Sequence, residues 1–240
     1  MFRHHGDTRT LSHNLKIASL LSFVAGFVNV AGFLSVQRLT TNVTGHFAFL
    51  VDEVFKLNLT QGFVYFLYIF FFLLGSFVSN FLIEVISRKN DQFTYVIPAS
   101  FECAILLVIG IWGQQFLITS PNTIAFSLLF AMGLQNSLVT TISKAHVRTT
   151  HLTGLFTDLG IELSQLFFYK HQEQRHKLTS SIKLRLTIIG CFFVGGIAGG
   201  ILYSRLNLFA LILVSVVLGC GLIYDSIKFK IMSSGKKISQ

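Results

Sequence analysis

The sequence predicts an all-α polytopic membrane protein with six full transmembrane helices plus two re-entrant or broken half-helices, arranged as an inverted repeat. Three observations predict it. First, 52% of the 240 residues are hydrophobic, 26 are Phe and only 12% are charged, whereas a soluble domain carries about 25% charged residues. Second, apolar runs long enough to cross about 30 Å of hydrocarbon as helices alternate with short basic stretches. Third, the pattern T-T-x-[VL]-T-G occurs twice, at residues 40–45 and 149–154, each time after a long apolar run and before a short one. Glu53 and Glu162 fall at the same offset past the two motifs, and Gly26-Phe27-Val28-Asn29 is echoed upstream of the second by Gly133-Leu134-Gln135-Asn136.

Residues 1–14, polar and basic, read as a cytoplasmic tail, and residues 15–112 as the first membrane repeat. It opens with the apolar run 15–37, whose Ala25, Gly26, Ala31 and Gly32 would let other helices approach closely. The motif then breaks the helix, because Thr, Asn and Gly are poor in helix interiors. The apolar stretch 46–56 is too short to span as a straight helix. Residues 62–87 form a second span, Phe-rich, with a small-residue strip at Gly75, Ser76 and Ser79, and end in Arg88-Lys89-Asn90-Asp91. Residues 93–112 form a third, with a kink expected at Pro98 and an acid, Glu102, near mid-depth.

An uncharged external loop is expected at 113–121, and the second repeat at 122–228. Residues 122–143 form its first span, and Pro121 sits well for the first helical turn. Lys144, His146 and Arg148 lead into the second motif, followed by a short helix at 155–169 and a polar, basic loop at 170–185. Spans at 186–204 and 207–227 complete the set. The first carries two overlapping GxxxG pairs in residues 195–200, a surface suited to a homodimer. Residues 229–240 read as a second cytoplasmic tail.

Charge decides between two arrangements of the short segments. If both cross, the N-terminal tail and Arg88-Lys89 lie on opposite sides, against the positive-inside bias. If both re-enter, the tails, Arg88-Lys89, the 144–148 stretch and residues 170–185 share the cytoplasmic side, and only Arg38, Lys56 and Arg205, in the short turn between the last two spans, lie outside. Each half then holds an odd number of full spans, so the halves insert in opposite senses. Eight crossings with parallel repeats is the alternative. The net charge of +9 is explained by orientation, and nucleic acid is set aside as a partner. Cys103, Cys191 and Cys220 lie in apolar runs without paired spacing, as buried thiols do.

A half-helix that begins inside a bilayer leaves backbone N–H groups unpaired and points a partial positive charge inward. Lipid cannot satisfy such groups, so they must be buried in protein or line a wet cavity. Two opposed N-termini make a site for an anion or a polar neutral solute. Its candidate residues are Thr41, Thr44, Gly45 and His46 from the first copy, Thr150, Thr153 and Gly154 from the second, and Asn29, Gln135 and Asn136 from the preceding spans. The plainer reading makes the threonines helix caps and the glycines helix-crossing positions. Ionisable groups inside membranes are costly and usually functional, which makes Asp158, Glu102, Glu162 and Glu53 candidates for proton coupling. For Glu53 and Glu162 the plainer reading is an interfacial location. The histidines have no metal-ligand company, and no phosphate loop, dinucleotide fingerprint or nucleophile elbow is present. The chain therefore reads as a non-enzyme without cofactor or metal.

The chain resembles the YoaK-like family of small bacterial membrane proteins. The resemblance is carried by residues 25–33 (AGFVNVAGF), Thr44-Gly45, residues 131–136 (AMGLQN) and residues 148–154 (RTTHLTG) with Asp158-Leu159-Gly160. It departs from that pattern at Asn29, where an acid is usual, and at Gly45-His46, where Gly-Asn is usual. The resemblance implies a multi-pass protein of the bacterial inner membrane, names no substrate, and adds Arg148 to the site residues beside Gln135, Asn136 and Asp158. The expected function is a channel or secondary transporter for a small polar or anionic solute or ion, in contact with the lipid bilayer and with both termini cytoplasmic. A non-transporting interaction or scaffold protein is the alternative, and a membrane-embedded enzyme a more distant one.

Overall fold

A computed structural model describes residues 10–89 and 93–238, with side chains through Ile227. Among the described residues there are eight α-helices and no strand: α1 (Leu11–Val36), α2 (Val43–Phe55), α3 (Leu59–Ser87), α4 (Val96–Thr119), α5 (Pro121–Ile142), α6 (Leu152–Phe168), α7 (Gln172–Leu206) and α8 (Ala210–Ile238). A 3-10 turn at Asn207–Phe209 separates the last two. Five helical stretches are long and apolar enough to cross a membrane, the fifth being Gln172–Ile227, which contains that turn. Helix α3 turns Phe63, Phe66, Phe70, Phe77 and Phe81 outward, as a lipid-facing surface requires.

Several boundaries differ from the sequence reading. Helix α1 starts at Leu11, inside the expected tail. Helix α4 continues through 113–119, so the expected loop shrinks to Ser120. Nothing in that stretch outside Gly113 opposes a helix, and Pro121 ends it by disfavouring helical backbone at Ser120. Pro98 is the third residue of α4, in a turn where its missing N–H costs nothing, so it does not kink a helix interior. The basic stretch expected as a loop at 170–185 is helical from Gln172. Its Gln, Glu, Lys and Arg are good helix formers, and Glu173 pairs with Lys177 one turn on. Residues 1–9, Asn90 and Asp91 lie outside the described residues, as do the side chains of Lys228, Lys230, Lys236 and Lys237.

The helices of the two halves interleave. Helix α3 packs most extensively on α5, and α1 on α7. Four glycines make these approaches possible, each three residues after a Phe. A methyl group on Gly75 would overlap the Phe130 carbonyl, and one on Gly133 the Phe72 carbonyl. In the other pair, Gly26 faces the Phe192 carbonyl and Gly195 the Phe23 carbonyl in the same way. Backbones this close admit no side chain. Tyr68 pairs with Asn122, Ser76 with Gly133 and Asn80 with Thr141, so α3 and α5 run in the same direction. Gly195 against Phe23 and Gly199 against Phe27 give α1 and α7 a common direction too. Buried residues concentrate on α1 and α5, from Ile17 to Ala31 and from Ile124 to Ile142.

A polar cavity between two broken helices

Both motif copies sit where helix is interrupted. Helix α1 ends at Gln37, which adopts a left-handed conformation (φ 53°), and α2 begins only at Val43. Thr40 donates to the Val28 carbonyl at 3.3 Å and Thr41 to Asn29 Oδ1 at 2.6 Å, so the chain doubles back along α1 by twelve residues. In the second copy Lys144 and Ala145 take positive φ after α5. There Asn136 Nδ2 donates to Thr150 Oγ1 at 2.6 Å, fourteen residues apart, and Gln135 Nε2 donates to Thr149 Oγ1 at 3.2 Å. The second return is thus two residues longer and otherwise alike. Each bond satisfies a polar group that folding removes from water, contributing about 1 kcal/mol net.

The short helices then reverse again. Asn42 caps α2, its Oδ1 accepting from the Gly45 N–H at 3.0 Å. Helix α2 lies antiparallel beside the first turns of α3, with Phe49 stacked on Tyr65 at 5.3 Å and His46 against Tyr68 at 4.8 Å. Helix α6 lies the same way on α7, held by charge instead of rings. Arg185 Nε bonds Glu162 Oε2 at 2.8 Å and its Nη1 bonds Asp158 Oδ2 at 2.9 Å, while Ser181 donates to Glu162 Oε1 at 2.6 Å.

Between the two breaks lies a cavity of about 850 Å³. Thr41, Thr44 and Gly45 line it from one side, Arg148, Thr150 and Thr153 from the other, and Asn29 and Asn136 from the spans. Those eight of the candidates expected from sequence are brought together. Three are placed elsewhere. His46 is fully buried, its Nε2 donating to the Leu39 carbonyl at 2.5 Å. Gln135 is buried and pins Leu21 and Thr149. Gly154 lines a second cavity of about 720 Å³, next to the ends of α5 and α7. Arg148 and His151 belong to the walls of both cavities and so mark the junction between them.

The four acids are dispersed. Asp158 lines the second cavity, and with Glu162 is tied to Arg185. Glu53 accepts from Asn58 at the exposed end of α2, beside an Asp52–Lys56 pair that raises the Lys56 pKa. Glu102 is fully buried in α4, with no hydrogen-bond partner at either oxygen among the described residues, and lines neither cavity. Among the described residues no group of acids, histidines and cysteines could hold a metal ion.

The sequence reading missed other cavity residues. Ala48 lies one turn past Thr44 and Thr140 one turn past Asn136, so helical periodicity projected from the known residues would have found both. Phe72 and Phe192 line it too, from equivalent places three residues before Gly75 and Gly195. Lys144, His146, His176, Lys177 and Arg185 line the second cavity. The last three were hidden because their segment read as loop.

These features define a polytopic helical protein of membrane-spanning composition, built from two interleaved halves around a cavity lined by polar and apolar side chains. The chain belongs to the DUF1275 family of proteins of unknown function, whose model matches residues 17–224. Neither the curated proteins nor the solved structures contain a match to it.

Proposed function

We propose that the protein is a channel or secondary transporter for a small polar or anionic solute, with its site between two inverted repeats. The observation that carries this is the common cavity of the two T-T-x-[VL]-T-G segments. Both segments double back by about half a span before a short helix returns to the level where the next long helix starts. In a bilayer this is re-entry from opposite faces, with α1 and α7 crossing in one sense and α3 and α5 in the other. The reciprocal Phe-Gly crossings support the same two-fold relation. Six long helices would then cross, with α2 and α6 ending short of the far side, the N- and C-termini cytoplasmic and the inner membrane the site of action. Irregular backbone at mid-depth is tolerated only around a wet or protein-filled space, and transporters use such breaks for their sites.

The test is flux into liposomes. Thr44 and Thr153 face the cavity, and among the described residues neither hydroxyl has a protein partner. Replacing both by isosteric Val should lower flux at least fivefold while the protein stays monodisperse. Undiminished flux overturns the assignment of the cavity. A non-transporting interaction protein is the second reading. Gly196 and Gly200 line an outward apolar groove of about 590 Å³, whereas Gly195 and Gly199 are already occupied by α1. Absence of flux for every solute, with dimers broken by Gly200→Leu, would favour it.

A further inference from the structure

We propose that the solute is a small oxyanion, carboxylate or phosphate in type, and that Arg148 is the residue that selects it. This rests on the transport reading above and narrows it.

Arg148 stands in the unwound segment before α6 and is exposed to the two cavities it helps to line. Among the described residues no hydrogen bond or ion pair reaches its guanidinium. Arg185, by contrast, is held by both Glu162 and Asp158 and has little charge left to offer. Among the described residues that line the central cavity, Arg148 is the one Lys, Arg, Asp or Glu side chain. The adjoining cavity carries an excess of cationic side chains among the described residues: Lys144, Arg148, Lys177 and Arg185 line it against one acid, Asp158, although Lys177 pairs with Glu173 and Arg185 with Asp158 and Glu162.

Electrostatics then sorts the solute classes. A cation would cross a basic antechamber and meet an unopposed guanidinium at the junction, with no carboxylate to receive it. A neutral solute would leave the guanidinium to water and gain nothing from its charge. An oxyanion completes the guanidinium, whose planar donors match two oxygens at once. The Asn29, Thr44, Asn136 and Thr153 side chains supply further polar contacts that carry no charge. The basic cavity also raises the local concentration of anions at the entrance.

The experiment uses the full chain in liposomes, with acetate and phosphate as anions, glycerol and urea as neutral solutes, and sodium as the cation. Wild-type protein should move acetate or phosphate well above empty liposomes, and the better of the two identifies the oxyanion. Arg148→Gln should lower that flux at least tenfold, and Arg148→Lys should restore part of it, since a point charge replaces the fork. Transport of glycerol, urea or sodium without the anions overturns the proposal and leaves the transport reading standing. Anion flux indifferent to Arg148→Gln does the same. Movement of no solute at all removes both. The wild-type comparison decides the solute class alone, so a poorly folding Arg148→Gln leaves the test intact.

Discussion

Asn136 donates to the Thr150 hydroxyl at 2.6 Å, fourteen residues further along the chain. That bond holds an unwound segment against the middle of a long helix, and Asn29 with Thr41 repeats it in the first half. A polar pair that organises backbone should cost stability when removed from either side. Asn29→Ala and Asn136→Ala should each destabilise the protein by about 1 kcal/mol, nearly additively, because the two bonds share no residue. Thermal unfolding in detergent measures this, and a silent Asn136→Ala would mean that the segment is held by something else.

The Phe-Gly crossings make a sharper contrast. Gly26, Gly75, Gly133 and Gly195 each face a backbone carbonyl where a methyl group would sit, while Gly160 and Gly190 have nothing within 4 Å of that position. Alanine at any of the first four should cost about 1–3 kcal/mol through forced separation of the helices. Gly160→Ala and Gly190→Ala should be neutral or stabilising by up to about 1 kcal/mol, the helix-propensity difference. Equal melting temperatures across all six variants would contradict the packing described.

Cavity exposure can be read chemically. In a background lacking Cys103, Cys191 and Cys220, cysteine at Thr44 or Thr153 should react with a water-soluble thiosulfonate, because both positions are exposed and line the cavity. Cysteine at Thr40 or Thr149, both fully buried, should stay unmodified in the folded protein. Mass spectrometry distinguishes the four. Unreactive Thr44→Cys and Thr153→Cys would mean a sealed interior.

The ion cluster on α6 and α7 should be unequal in its parts. Glu162 has a side chain 13% exposed and meets Arg185 at 2.8 Å, whereas Asp158 is 49% exposed. Exposed pairs contribute about 0.2–1 kcal/mol, and hydrogen bonds to charged groups away from water about 1.5–3 kcal/mol. Double-mutant cycles should therefore give the larger coupling to Arg185–Glu162. The reverse order would place the weight of the hairpin on Asp158.

Composition and repetition carried much of this molecule on their own. A chain this poor in charge can only bury itself in a lipid-like medium, so helical class followed from the residue types, as did the two interruptions, since Thr-Thr-x-x-Thr-Gly is unfit for a helix interior. Eight of the eleven substrate-site residues named from sequence share one cavity because they lie in or beside those breaks.

Tertiary structure decided the rest. Residues 113–119 and 172–185 are helical because packing and propensity outweigh their polarity. His46 and Gln135 turned inward because α3 supplies rings to the one and α1 a carbonyl to the other. Which arginine keeps a free charge also lay beyond the sequence. Arg185 meets its two acids only once α6 folds back along α7, and among the described residues that approach leaves Arg148 without an ion pair. Charges close in space and distant in sequence are paired by the fold, and no local pattern records the outcome.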